Sequence, residues 1–289
     1  MDNTTSEHKQ SVLIVSDGRF LEDYLVEQLK HDNDVRLLHT DDLIHVKALQ
    51  RHYDTVIYCP VEADNIKYVN VLCQAMDDKR PDSVVLISSY EVYGSCGSPA
   101  TETSRPEPSS TYGQDMLACE EALTEWTSHR TINLAVLRTG EIIGNNMIGR
   151  IRRMADRISN GTYLHIPGYD DGTISLIHAE DLAAIVDIIR GNNVVLNIND
   201  GCTHHYKDTA DAIAHRLNDK RILTMPRKLV WLVKLLSHII PSVADMLKTR
   251  SSTVEYSNDA MITALHGRCK TRNVTEYLLH IDEYKQTKS

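Results

Sequence analysis

Short apolar runs bounded by polar clusters recur along the first half of the chain, and helical stripes separate them. Ser11 to Ser16 (Ser-Val-Leu-Ile-Val-Ser) reads as a buried strand, and Phe20, Leu21, Leu25 and Leu29 form the stripe of a helix behind it. Val35 to Leu38 gives a second strand and Asp54 to Cys59 (Asp-Thr-Val-Ile-Tyr-Cys) a third. A helix over Lys67 to Met76 leads to a fourth at Ser83 to Ser89, and Asn133 to Arg138 gives a fifth. Strands alternating with helices predict an α/β fold with a doubly wound parallel sheet and right-handed crossovers. The strands are expected in the spatial order 3-2-1-4-5.

From Gly140 the pattern loosens. Ile148 to Ile158 reads as a basic helix carrying Arg150, Arg152, Arg153 and Arg157, either an anion site or a solvated face. Leu176 to Ala183 and Asn197 to Gly201 return to the pattern of the core. The most apolar stretch, Leu229 to Ile240, is about half the ~20 residues a membrane span needs and contains Lys234. Its length predicts a helix of the C-terminal lobe packed on the core. A lid over the substrate and a membrane-surface helix are the alternatives.

Composition narrows the class. At 289 residues, 42% hydrophobic and 25% charged, the chain has room for one large α/β domain, or for a large domain with a smaller appendage. The net charge of −9 leaves no basic excess to replace phosphate counterions, which argues against a nucleic-acid partner. Met1 to Gln10 is polar, so neither a signal peptide nor a transmembrane segment is expected there. Six cysteines (Cys59, Cys73, Cys96, Cys119, Cys202, Cys269) show no C-x-x-C pair and no zinc spacing, which predicts reduced thiols, no metal and a cytoplasmic protein. The adjacent His204 and His205 read as surface-loop histidines rather than ligands.

The candidate chemistry lies between Ser83 and Leu117. An apolar run ends in two hydroxyls, Ser88 and Ser89, at the strand end where open α/β sheets bind ligands. Tyr90-Glu91-Val92-Tyr93-Gly94 follows, then a polar loop from Ser95 to Ser110, then Tyr112-Gly113 at the start of a helical pattern. A serine and a tyrosine so placed suit proton transfer with a substrate hydroxyl, provided something lowers the tyrosine pKa from about 10. A lysine one helical turn later, at i+4, would do so.

These residues resemble the extended short-chain dehydrogenase/reductase family, and within it the nucleotide-sugar epimerases and dehydratases. The resemblance is carried by Ser88-Ser89-x-x-Val92-Tyr93-Gly94, Thr101-Glu102, Pro108 and Tyr112-Gly113, then by Leu137-Arg138-x-Gly140, His178-x-x-Asp181-Leu182-Ala183 and Asn197 before Gly201. It implies a Rossmann-type fold with a small C-terminal lobe, bound NAD or NADP, Ser89 as catalytic serine and Tyr112 as catalytic tyrosine. It also implies a dimer formed through the helix at Tyr112 and the helix after the third strand. His178 and Asp181 are expected to hold the loop between pocket and sheet. The implied division is a disordered 1–10, a Rossmann core over 11–140 to which 176–200 returns, and a substrate-type lobe from 141–175 and 201–289.

The chain departs from the family at two jobs. The lysine position holds Met116. The glycines of Gly-x-x-Gly-x-x-Gly, which let a pyrophosphate approach the helix N-terminus, are replaced by Ser16, Arg19 and Glu22, with Gly18 out of phase. The residual cofactor loop is therefore Ser16, Gly18, Arg19, Phe20 and Leu21. His39, followed by Asp41 and Asp42, stands where a ribose-binding acid belongs, and Tyr58-Cys59-Pro60-Val61 where small residues flank the cofactor. The combined reading is a degenerate epimerase/dehydratase-like protein with weak or absent cofactor binding, acting as a binding or regulatory member of a sugar pathway. It would act as a homodimer or paired with an active relative. The alternatives are an active enzyme with a rearranged loop, or a non-redox proton-transfer enzyme using Ser89 and Tyr112.

Overall fold

The computed structural model describes residues 9–60, 63–94 and 96–275. The first half runs β1 (Gln10–Ser16), α1 (Leu21–Leu29), β2 (Asn33–His39), α2 (Thr40–Leu43), β3 (Thr55–Tyr58), α3 (Asn65–Met76) and β4 (Ser83–Ser89). A 3-10 turn at Tyr90–Val92 leads to α4 (Thr111–Ser128), β5 (Asn133–Thr139) and β6 (Glu141–Ile143). Then come α5 (Arg150–Ser159), β7 (Leu164–His165), β8 (Thr173–Ile174), β9 (Leu176–His178), α6 (Ala179–Ile189) and β10 (Val194–Ile198). The last elements are β11 (His204–His205), α7 (Tyr206–Arg216), β12 (Leu223–Thr224), α8 (Val230–Ser237), α9 (Pro241–Ser251) and α10 (Asp259–Leu265). Residues 1–8 of the expected disordered N-terminus lie outside the described residues, as do Val61 and Ser95, whereas Gln10 already belongs to β1.

β1 to β5 and β10 form one parallel sheet in the order β10-β5-β4-β3-β1-β2. Side chains alternate across each strand, so one run feeds two cores. Val12 and Ile14 enter the layer that holds α1 and α6, while Leu13 and Val15 enter the layer that holds α3 and α4. Helices on both faces make the fold a doubly wound, Rossmann-type α/β domain. Each fully buried Leu, Ile or Val contributes about 1.5–3 kcal/mol, and truncating one such as Ile14 to Ala costs about 2–5 kcal/mol.

The strand order corrects the expected 3-2-1-4-5. β3 lies beside β1 on the side away from β2, so the order over these five strands is 2-1-3-4-5. The cause is visible in burial. All four residues of β3 are buried, Thr55 included, as an interior strand requires. β2 carries Arg36 and a half-exposed Leu37, as an edge strand tolerates. Parallel pairing then brings Ser16, His39, Tyr58, Ser89 and Thr139 to one carboxyl edge.

Two further expectations are corrected beyond β10. The Leu229 to Ile240 helix does not pack its apolar surface on the core. Only its Val233 is buried, against Ile166 and Leu247, while Trp231, Leu235 and Ile239 stay 60%, 52% and 71% exposed. The two histidines also differ from a surface pair. His205 is exposed, but His204 is buried between Asp200 Oδ2 at 2.8 Å and Thr275 Oγ1 at 2.5 Å. Those polar partners are what let an imidazole sit in the interior.

Candidate active site

The wall of the site grows from the end of β4. Ser89 is the last residue of the strand, and its Oγ accepts from the Glu91 amide at 3.1 Å, capping the 3-10 turn. Glu91 turns back, and its Oε2 accepts from the Ser110 hydroxyl. Ser110 is the N-cap of α4, its Oγ accepting from Gly113 N at 3.0 Å. Gly113 is needed there because a Cβ would stand 2.4 Å from the Glu91 carbonyl oxygen. One carboxylate thus ties the turn after Ser89 to the helix that starts with Tyr112.

Tyr112 is half-buried, and its phenol pKa is raised. Burial is the main cause, followed by the charges of Glu91 and Glu141, all of which disfavour a phenolate. Arg150 bridges these acids, Nε to Glu141 Oε1 at 2.6 Å and Nη2 to Glu91 Oε1 at 3.2 Å. Met116, one helical turn after Tyr112, opposes none of this, since it is apolar and fully buried in the layer of α3 and α4. The neighbouring Asp115 points to α3 instead. Its carboxylate accepts from the amides of Asn65 and Ile66 at 2.8 and 3.0 Å, capping a helix whose own N-cap side chain makes no cap.

Beneath the wall lies a buried polar network. Arg138 Nη2 donates to Glu120 Oε2 at 2.6 Å, and Arg138 Nη1 donates to the Tyr93 hydroxyl at 2.9 Å. Tyr93 in turn donates to Asn197 Oδ1 at 2.7 Å, and the Asn197 amide donates to Glu102 at 2.7 Å. Ser88 donates its hydroxyl to Glu120 as well. Five of the motif positions quoted for the family resemblance, Ser88, Tyr93, Glu102, Arg138 and Asn197, therefore belong to one network. Tyr90 stacks on Tyr256 at 3.9 Å between ring centroids, which pins the C-terminal segment onto the same turn.

Across the sheet edge, the β1–α1 loop is folded around its own carboxylate. Glu22 is 3% exposed, and its Oε2 accepts from Ser16 Oγ at 2.9 Å and from the Phe20 amide at 3.2 Å. Gly18 makes the turn at φ +74°, where a Cβ would meet the His39 ring at 3.0 Å. Arg19 is ion-paired with Asp17 on the surface. Phe20 and Leu21 pack in the core, and Phe20 meets Tyr24 edge-on at 5.6 Å. Tyr24 then reaches the loop after β6, its hydroxyl accepting from Asn145 N at 2.6 Å. Of the five expected loop residues, Ser16, Phe20 and Leu21 thus face inward, while Gly18 shapes the turn.

The remaining candidates have structural partners. Arg150 starts α5 and is ion-paired as above, and Arg152 pairs with Asp156, while Arg153 and Arg157 are exposed. His178 caps α6, accepting from Glu180 N at 3.2 Å, and burial lowers its pKa to about 4, with the Arg272 charge acting in the same direction. Asp181 binds the amide and guanidinium of Arg272. Among the described residues, Asp200, Cys202 and His204 bring ligand atoms within 4.8 Å, but Asp200 Oδ2 is already held by His204 and the Val274 amide. A cavity of about 440 Å³ opens between α7 and the β7–β12 pair, lined by Tyr163, His165, Lys207 and Asp211. Its lining shares no residue with either side of the site.

Sequence reasoning missed Glu91 and Glu141 as the charges on Tyr112, and Glu120 as the partner of Arg138. A glutamate on the inner face of α4, opposite an arginine in a buried strand, is the signal that could have found the pair.

A parallel doubly wound sheet with a serine–tyrosine wall at its carboxyl edge defines a protein of the extended short-chain dehydrogenase/reductase class. Residues 9–198 match the NAD dependent epimerase/dehydratase family, and the chain belongs to it. It resembles the UDP-N-acetylglucosamine 4-epimerase of Methanobrevibacter ruminantium M1, solved with UDP-N-acetylmuramic acid, at 17% identity and TM-score 0.73, covering 94% of this chain and 96% of that one. It also resembles the UDP-glucose 4-epimerase of Thermus thermophilus, solved with NAD, at 15% identity and TM-score 0.69, covering 93% and 96%. At these identities the likeness is one of fold. A stretch of 104 residues is 27% identical to protein y4nG of Sinorhizobium fredii (strain NBRC 101917 / NGR234), covering 36% of this chain and 26% of that protein. The match thus spans about a quarter of that relative's length. Among the described residues, no helix is long and apolar enough to cross a membrane.

Proposed function

We propose that the chain is a family member with lost or severely weakened redox catalysis, acting as a binding or regulatory protein in a nucleotide-sugar pathway. The observation that carries this reading is the Glu22 carboxylate, which takes the hydrogen bonds of Ser16 and Phe20 at the start of α1. In the family that place receives a pyrophosphate, and a second anion there meets a buried negative charge and amides already in use. The residues present do not fit the pyrophosphate of NAD or NADP. Met116 and the raised pKa of Tyr112 argue in the same direction. Reading Ser89 and Tyr112 as family catalytic residues rests on motif position, and the residue one turn after Tyr112 is the apolar Met116.

The ligand class is a nucleotide sugar, supported by the family and by what the solved relatives bind. A cytoplasmic location belongs to this reading, supported by cysteines scattered without a C-x-x-C pair. So does self-association, or association with an active relative, through the packed pair α3 and α4. The test is turnover over a panel of nucleotide sugars with added NAD and NADP, alongside thermal-shift titration with the same sugars alone. Stabilisation by a nucleotide sugar without turnover is expected. Clear turnover by the wild-type protein with added NAD would overturn the reading and favour an enzyme with a rearranged loop.

A further inference from the structure

α8 is built back to front for a helix of a water-soluble lobe. Val230 and Val233 face α9 and Ile166, and the positions at i, i+1, i+4 and i+5 around the opposite side are all large and apolar. They are Trp231, Leu232, Leu235 and Leu236, continued past the helix end by Ile239 and Ile240. All six are exposed, Trp231 by 60% and Ile239 by 71%. A contiguous patch of this kind marks an interaction surface rather than scattered surface hydrophobics.

Charge says what covers it. Between Lys220 and Ala244 the chain has five lysines and arginines (Lys220, Arg221, Arg227, Lys228, Lys234) and no acid, whereas the whole chain carries −9. Arg227, Lys228 and Lys234 are exposed beside the apolar face. A second copy would bring the same positive segment against itself. An anionic surface neutralises it, and a tryptophan within the apolar face suits the headgroup boundary. The segment is too short to span, so its apolar face would lie in the interface plane. We propose that the α8 face docks the protein on an anionic lipid bilayer, with Trp231, Leu235 and Ile239 inserted and Arg227, Lys228 and Lys234 at the headgroups.

The test is flotation of the full chain with phosphatidylcholine vesicles and with vesicles in which about one third of the lipid is phosphatidylglycerol. Binding to the anionic vesicles is expected, weakened at least tenfold by Leu235→Ser with Ile239→Ser, and by Arg227→Gln with Lys228→Gln. These side chains are exposed, so both variants should melt with the wild type, which circular dichroism checks. In a Trp126→Phe background the emission of Trp231 should shift to the blue on adding anionic vesicles. Absence of binding by the wild type, or equal binding to neutral vesicles, would overturn the proposal. So would a wild-type dimer that Leu235→Ser with Ile239→Ser converts to monomer without any change in flotation, since the occupant would then be a second copy.

Discussion

The two sides of the site edge are held in different ways. On the β1–α1 side the loop closes on itself, with Glu22 accepting from the Ser16 hydroxyl and the Phe20 amide. On the β4–α4 side hydrogen bonds through Glu91 and Ser110 tie the turn after Ser89 to the helix that carries Tyr112, and Met116 lies in the apolar layer of α3 and α4. The comparison teaches how two loops at one sheet edge can close on their own side chains within the family's fold. Amides bared at a helix start need a new acceptor, and a carboxylate supplies one. A buried methionine such as Met116 needs no polar partner, because it brings no charge to desolvate.

The largest expected effect lies under the wall. Glu120→Ala leaves Arg138 buried without its anion and should destabilise the protein by about 3–5 kcal/mol in urea unfolding. A loss under about 1 kcal/mol would mean that the network does not hold the wall.

Acid should act on the other side. His178 touches Tyr24 edge-on at 6.2 Å and so backs the β1–α1 side. Its pKa is lowered from 6.5 to about 4 by burial and by Arg272, so the unfolded chain binds the proton first. Stability from this group is complete above pH 6.5 and is lost as pH falls towards 4. The expected loss is about 2 kcal/mol by pH 5, removed in His178→Gln. Unfolding curves that match between pH 7 and 5 in the two proteins would break this side of the comparison.

How much of this was legible in the sequence follows from local pattern. The strands were legible because buried runs such as Val12 to Val15 leave no other reading, and the family was legible from motif spacing. Strand order was not, because it depends on which strand tolerates an edge, and the polar residues of β2 carried that information unread. Glu22 was visible as a charge unfriendly to phosphate, but its hydrogen bonds depend on a turn that sequence spacing does not specify. The exposure of α8 was misjudged because an apolar run alone does not say which layer covers it. His204 was misjudged because Asp200 and Thr275, its partners, are set by tertiary contact.

Smaller effects sharpen the contrast. Glu22→Ala removes the acceptor of two groups and should cost about 1–2 kcal/mol, measured by thermal unfolding. Ser110→Ala removes the N-cap of α4 and should cost about 1 kcal/mol. If Ser110→Ala proves costlier than Glu22→Ala, the loop is less dependent on its carboxylate than the geometry indicates.

The central claim is that the β1–α1 loop holds its own anion in place of the cofactor's. Calorimetric titration of NAD and NADP into the wild type and into the Ser16→Gly, Arg19→Gly, Glu22→Gly triple variant tests it most directly. The account predicts no binding at micromolar cofactor for the wild type and measurable binding for the triple variant. Micromolar binding by the wild type, or cofactor retained through its purification, would contradict it.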